Sequence, residues 1–119
     1  MAKHNEIGKQ GEELAVDYLK NKGFTILERN YRFKRAEIDI IGFKDEFLVA
    51  VEVKTRSTTY FGDPQDFVKS GQIQRLVMAI NQFAEQRSID AEIRFDIIAI
   101  ILHKTTPQIQ HFENAFYHF

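Results

Sequence analysis

Three residues in this chain have the types and spacing to do chemistry: Asp39 in "AEIDII", and Glu52 and Lys54 in "LVAVEVKTR". Both runs are otherwise apolar, so each carboxylate interrupts a segment patterned for burial. Buried carboxylates are scarce unless paired or bound to metal. Two carboxylates from neighbouring strands can converge on one hard cation. Mg²⁺ takes oxygen ligands and commonly only one or two carboxylates, with waters completing its octahedron. Lys54 lies one pleat beyond Glu52, about 6–7 Å along the strand. From there an ammonium can position an attacking water or neutralise charge building on a phosphate. These are the parts of metal-assisted phosphodiester hydrolysis. The plainer alternative is a surface pair, since Glu and Lys two apart on a half-exposed strand commonly meet. Taken alone, E-x-K favours that alternative; with Asp39 in the adjacent strand, the combination favours a site.

The elements that must position these residues follow from periodicity. A helix is predicted at about 5–22, capped by Asn5 and ended by Gly23, with Ile7, Gly11, Leu14, Ala15 and Tyr18 as its apolar stripe. At about 100° per residue, Glu12 lies on the flank of that stripe and Glu13 points to water. Strands are predicted at 24–31, 36–43 and 46–55, with Gly42 and "FKDE" turning the second into the third as an antiparallel hairpin. Strict alternation puts Glu37 and Asp39 on one face with Ile41, and Glu52 and Lys54 on one face with Leu48 and Ala50. After a loop at 55–67, Ile73, Leu76, Val77, Ile80, Phe83 and Ala84 mark a helix over about 70–86. "EIRFDIIAIIL" has the pattern of a central strand covered on both faces, and "QIQHFENAF" that of a last edge strand. The order α-β-β-β-α-β-β predicts an α/β sandwich with a mixed central sheet flanked by helices.

A length of 119 residues suits one domain, 1–119. No apolar run reaches the roughly 18 residues of a membrane span, and the N-terminus lacks a hydrophobic signal core, so a cytoplasmic protein is expected. The absence of cysteine excludes disulfides, thiolate metal sites and a cysteine nucleophile. A net charge of −1 argues against whole-molecule attraction to nucleic acid, so any such role rests on local charge. "RNYRFKR" gathers Arg29, Arg32, Lys34 and Arg35, which a solvated edge strand explains nearly as well as a nucleic-acid footprint. Thr55, Arg56 and Ser57 leave the sheet beside Lys54 and suit phosphate contacts. Tyr60 and Phe61 can stack on a base or pack back on the domain. Asp96 reads as a structural ion-pair partner of Arg94 or of a residue in the first hairpin, and the four histidines lack metal-ligand spacing.

"GKQGEELAVDYLKNKGFTILERN", "AEIDII", "LVAVEVKTRS", "FGDP" and "RFDIIAI" span about 8–100 in order, and with them the chain resembles the YraN family of small bacterial proteins. That family is similar to archaeal Holliday-junction resolvases, within the PD-(D/E)xK nuclease superfamily. The resemblance implies a restriction-endonuclease-like three-layer sandwich and Mg²⁺- or Mn²⁺-dependent hydrolysis of DNA, with branched or structured DNA as substrate class. It assigns Asp39 and Glu52 as metal carboxylates, Lys54 as the catalytic lysine and Glu12 as an assisting carboxylate. It adds Gln72 to Thr55, Arg56 and Arg35, which their own position and charge mark as nucleic-acid contacts. Glu37 remains either a further ligand or a hairpin partner for an arginine. Two departures stand out: Ala36 replaces the glycine of G-E-I-D, and Gln72 falls where a lysine usually opens the second helix. Resolvase-like paired cuts would favour a homodimer. A non-catalytic nucleic-acid-binding module, or a small assembly domain, is compatible with the same residues.

Overall fold

The computed structural model describes residues 2–56, 70–102 and 106–115, with side chains from Glu6 onward except that of Ser70. Ser57, Tyr60, Phe61, the "FGDP" segment, His103 and His118 lie outside the described residues, as does the side chain of His4. The elements are α1 (Ala2–Asn21), β1 (Thr25–Phe33), β2 (Ala36–Lys44), β3 (Phe47–Arg56), α2 (Ser70–Gln86), β4 (Glu92–Ile101) and β5 (Gln108–Phe112). They form one five-stranded sheet in the order β1-β2-β3-β4-β5. Only β3 and β4 are parallel. A parallel pair needs a crossover, and α2 lies in the connection between these two strands.

Helix α1 begins three residues before the predicted start, so Asn5 lies inside it rather than capping it. Its end is as expected: Gly23 is left-handed (φ 97°), and the Gly23 and Phe24 N–H groups donate to the Lys20 and Leu19 carbonyls at 3.0 Å. Gly42 is not part of the hairpin turn but of β2, opposite Val49 and beneath the Phe24 ring. The turn is Asp45–Glu46, both left-handed (φ 51° and 67°), the two-residue form whose twist matches that of its strands.

Alternating side chains build one core on each face of the sheet. Ala15, Val16 and Leu19 of α1 pack on Ile40, Val49, Val51, Ile98 and Ile100. Leu76, Ala79, Ile80 and Phe83 of α2 pack on Ala36, Ile38, Ile41, Leu48, Ala50, Phe95 and Ile97. Full burial of each large side chain stabilises by roughly 1.5–3 kcal/mol. Helix, sheet and helix make three layers, as the pattern predicted. Among the described residues no helix is long and apolar enough to cross a membrane.

Candidate functional site

Strict alternation fails in β2 at Asp39. Ile38 packs in the α2-side core, whereas Ile40, two residues on, packs in the α1-side core. On a regular strand these two would share a face. The neighbouring strand breaks at the same level. Arg29 reaches the carboxylates of α1, Tyr31 packs edge-on against Phe83 of α2, and Asn30 between them is left-handed at φ 54°. Asparagine tolerates that conformation better than most residues. Asn30 and Asp39 fall opposite one another, between the pairs Arg29↔Ile40 and Tyr31↔Ile38.

On its other side, β2 parts from β3 after the pair Ile40↔Val51. Beyond it, Asp39 Oδ2 accepts the Val53 N–H at 2.8 Å, in place of a backbone carbonyl. The expected sharing of a face by Glu37, Asp39 and Ile41 is therefore wrong. The Asp39 carboxylate occupies the gap where two central strands separate.

Other carboxylates reach this gap from both sides. Glu52 continues the α2-facing row of Leu48 and Ala50, as alternation predicted; its side chain is 12% exposed and pairs with Lys54 Nζ at 3.2 Å. Glu12 comes from α1, 22% exposed; it accepts a hydrogen bond from Asn30 and forms an ion pair with Arg29 Nη2 at 3.8 Å. Gly11 permits this approach. A Cβ there would overlap Thr55 Oγ1 and stand 3.0 Å from Thr55 Cγ2, so a side chain would force α1 away from β3. Glu13 points outward as expected, yet it pairs with Arg29 at 2.7 Å.

The electrostatics of the gap are unbalanced. Burial, then the charge of Glu52, and further the charge of Glu12 and a hydrogen bond with Glu52, push the Asp39 carboxyl up to about 8 against the single opposing Val53 N–H. Burial also raises Glu12, despite Asn30 and Arg29. Arg29 is divided between Glu12 and Glu13, and Lys54 pairs with Glu52. Among the described residues no three His, Cys, Asp or Glu side chains are grouped for metal binding. Mg²⁺, however, accepts one or two carboxylates.

Glu12, Asp39, Lys54, Thr55 and Arg56 line one open cleft of about 270 Å³. Arg56 is exposed, its Nη1 donating to the Thr55 carbonyl at 3.1 Å. Thr55 is half-buried against Gly11. Three residues expected at the site do not line this cleft: Glu52, which lines a small pocket with Ile38, Ala50 and Leu76 on the α2 side, Arg35 and Gln72. Arg35, on the β1–β2 turn, lines a separate pocket with Arg75, and Gln72 is half-buried one helical turn before Leu76. Glu37 is the hairpin partner of Arg32, at 3.2 Å. With Arg29 also paired, half of the "RNYRFKR" cations are neutralised. Ala36 is buried in the α2-side core, so its methyl is accommodated, three residues from the break. Sequence reasoning missed Asn30 and the Val53 N–H as parts of the site, and read Arg29 only as one cation of "RNYRFKR". The one available signal was an asparagine, depleted in strands, inside a strand.

Fold and site together define a three-layer α/β protein with an acidic cluster where its central strands part. Residues 11–100 match the model of the uncharacterised protein family UPF0102, the YraN family of the sequence resemblance. A UPF0102 protein of Christiangramia forsetii is 57% identical over 119 residues, covering all of both chains. One from Flavobacterium psychrophilum is 56% identical, again over the whole of both chains. One from Phocaeicola vulgatus is 43% identical over 117 residues, 98% of this chain and 97% of its own. The chain belongs to the UPF0102 family.

Proposed function

We propose that this chain is a nuclease that hydrolyses DNA phosphodiester bonds with Mg²⁺ or Mn²⁺. The observation that supports this reading is the Asp39 carboxyl, pushed up to about 8 where Glu52 and Glu12 converge on it. A divalent cation relieves such repulsion, and an all-oxygen donor set suits Mg²⁺ or Mn²⁺ better than softer metals. Asp39 and Glu52 would hold the ion. When bound, it supplies a Lewis acid and lowers the pKa of a bound water. Lys54 orients the water or stabilises charge on the phosphate. Glu12, its affinity for a proton raised, stands ready to assist proton transfer at the cleft wall. Arg56 offers an exposed guanidinium to a backbone phosphate. Branched or structured DNA is the substrate class the resemblance suggests, and paired cuts there would engage two copies of the chain.

One observation favours a second reading. Lys54 pairs with Glu52 at 3.2 Å, and a non-catalytic nucleic-acid-binding module could keep that pair as a structural contact. The two are separated by incubating the protein with linear, single-stranded and four-way-junction DNA, with Mg²⁺, Mn²⁺ or chelator. The nuclease reading expects metal-dependent cutting that Asp39→Asn and Lys54→Ala abolish. It also expects Mg²⁺ at a hundredfold its Kd to stabilise the wild type by about 2.7 kcal/mol, and Asp39→Asn far less. Binding without cutting, indifferent to both substitutions, would leave the module.

A further inference from the structure

A pocket of about 220 Å³ lies on the α2 side of the sheet, apart from the acidic cleft. Phe33, Lys34, Arg35 and Ala36 come to it from the β1–β2 turn, and Arg75 and Met78 from α2. Arg75 and Met78 are three apart and so share a helix face. Met78 is 48% exposed, the one large hydrophobic side chain so exposed among the described residues. Lys34 Nζ stands 5.4 Å from the centre of the Phe33 ring. The lining thus combines Phe33, Ala36 and Met78 with three cations and no acid. Arg29, Arg32, Lys54, Arg87 and Arg94 all have carboxylate partners. Lys34, Arg35 and Arg75 have none among the described residues, as is also true of Arg56 in the cleft.

We infer that this pocket receives one unpaired base of a single-stranded nucleic-acid segment, its ring against Phe33 and Met78 and the flanking phosphates on Arg35 and Arg75. An apolar aromatic surface rimmed by unneutralised cations is complementary to a planar ring carrying phosphates. A duplex keeps its rings stacked and presents only their edges, so it cannot fill such a pocket. Ala36 in the pocket and Asp39 in the cleft are three residues apart on β2, about 10 Å along the strand. A nucleic-acid strand passing over this end of the sheet, from the α2 side where the pocket lies to the α1 side where Glu12 lines the cleft, would touch both. The inference deepens the nuclease reading and rests on it for the course of the strand: it names an unpaired segment beside the cut as the feature recognised.

The test is fluorescence anisotropy with a short labelled single strand and a fully paired duplex of equal length, in chelator so that binding is read without cutting. The wild type is expected to prefer the single strand. Arg35→Ala combined with Arg75→Ala should lower the salt dependence of single-strand affinity by about 1.4 in log–log slope, two phosphate contacts' worth. Phe33→Leu preserves charge and apolar packing, and should weaken single-strand binding on the order of tenfold while abolishing the quenching of a 2-aminopurine base in the strand. Wild-type binding unchanged in all these variants would overturn the pocket and leave the nuclease reading standing. A wild type that neither binds nor cuts DNA would end both. If the variants convert a dimer to a monomer in sedimentation with DNA binding intact, the pocket is an interface between copies and the inference fails.

Discussion

Asp39 and Asp96 are two aspartates withdrawn into the same sheet, and they are held in opposite ways. Asp96, with no exposed side-chain surface, accepts a fork from Arg94 Nε and Nη2, both at 2.9 Å, His111 Nε2 at 2.8 Å and the Asn114 N–H at 3.0 Å. Burial alone would raise its pKa; His111, Arg94 and the Asn114 N–H outweigh it and hold the carboxyl below its ordinary value. Asp39 has one N–H donor and two acidic neighbours, and it rises to about 8. Burial acts in the same direction on both, so the partners decide the sign. Asp96 ties β5 and the turn after it to β4, helped by the Ala115 N–H on the Phe95 carbonyl at 2.7 Å. Its network is complete within the chain. Asp39's is not, and that deficit makes it the candidate for chemistry.

The same substitution at both positions should break the symmetry. Asp96→Asn leaves Arg94 and His111 without their buried anion, and should destabilise by about 3–5 kcal/mol in chemical denaturation. Gly11→Ala drives a methyl into Thr55 and should cost roughly 1–3 kcal/mol. By lifting Glu12 from the gap it should also depress metal-dependent cutting more than a Glu13→Gln control does. Asp39→Asn retains an acceptor for the Val53 N–H and removes a repelled charge. In chelator at pH 8 it should raise stability on the order of 1 kcal/mol, the opposite sign to Asp96→Asn.

The pH dependence sharpens the contrast. Asp39 holds its proton in the folded state between its ordinary 3.8 and about 8, where the unfolded chain has released it. Metal-free stability from this group therefore falls as pH rises across that interval, and Asp39→Asn should flatten the fall in melting temperature. Asp96 is lowered on folding, so its contribution is present above its unfolded value and lost as pH drops through the folded one.

Much of this was legible in the residues. The strands, the second helix and the Glu52–Lys54 row follow from local periodicity, and the row holds because β3 keeps regular alternation through its charged end. The flank position of Glu12 also follows from helical geometry alone. Asp39 resisted such treatment because alternation assumes a regular strand, and β2 is regular only on either side of it. Arg35 resisted for another reason: neighbours in "RNYRFKR" separate once a two-residue turn and a left-handed Asn30 send them to different faces.

By itself, then, the sequence determined which segments are helix and strand, which charges interrupt apolar runs, and the family to which the chain belongs. Only the tertiary structure decided that Asp39 lies between strands rather than on a face, with Glu12 and Glu52 reaching it from opposite layers. Periodicity is set by bonds along the chain. The break depends on β2 pairing with β1 while parting from β3, and on a glycine that lets α1 close over the gap.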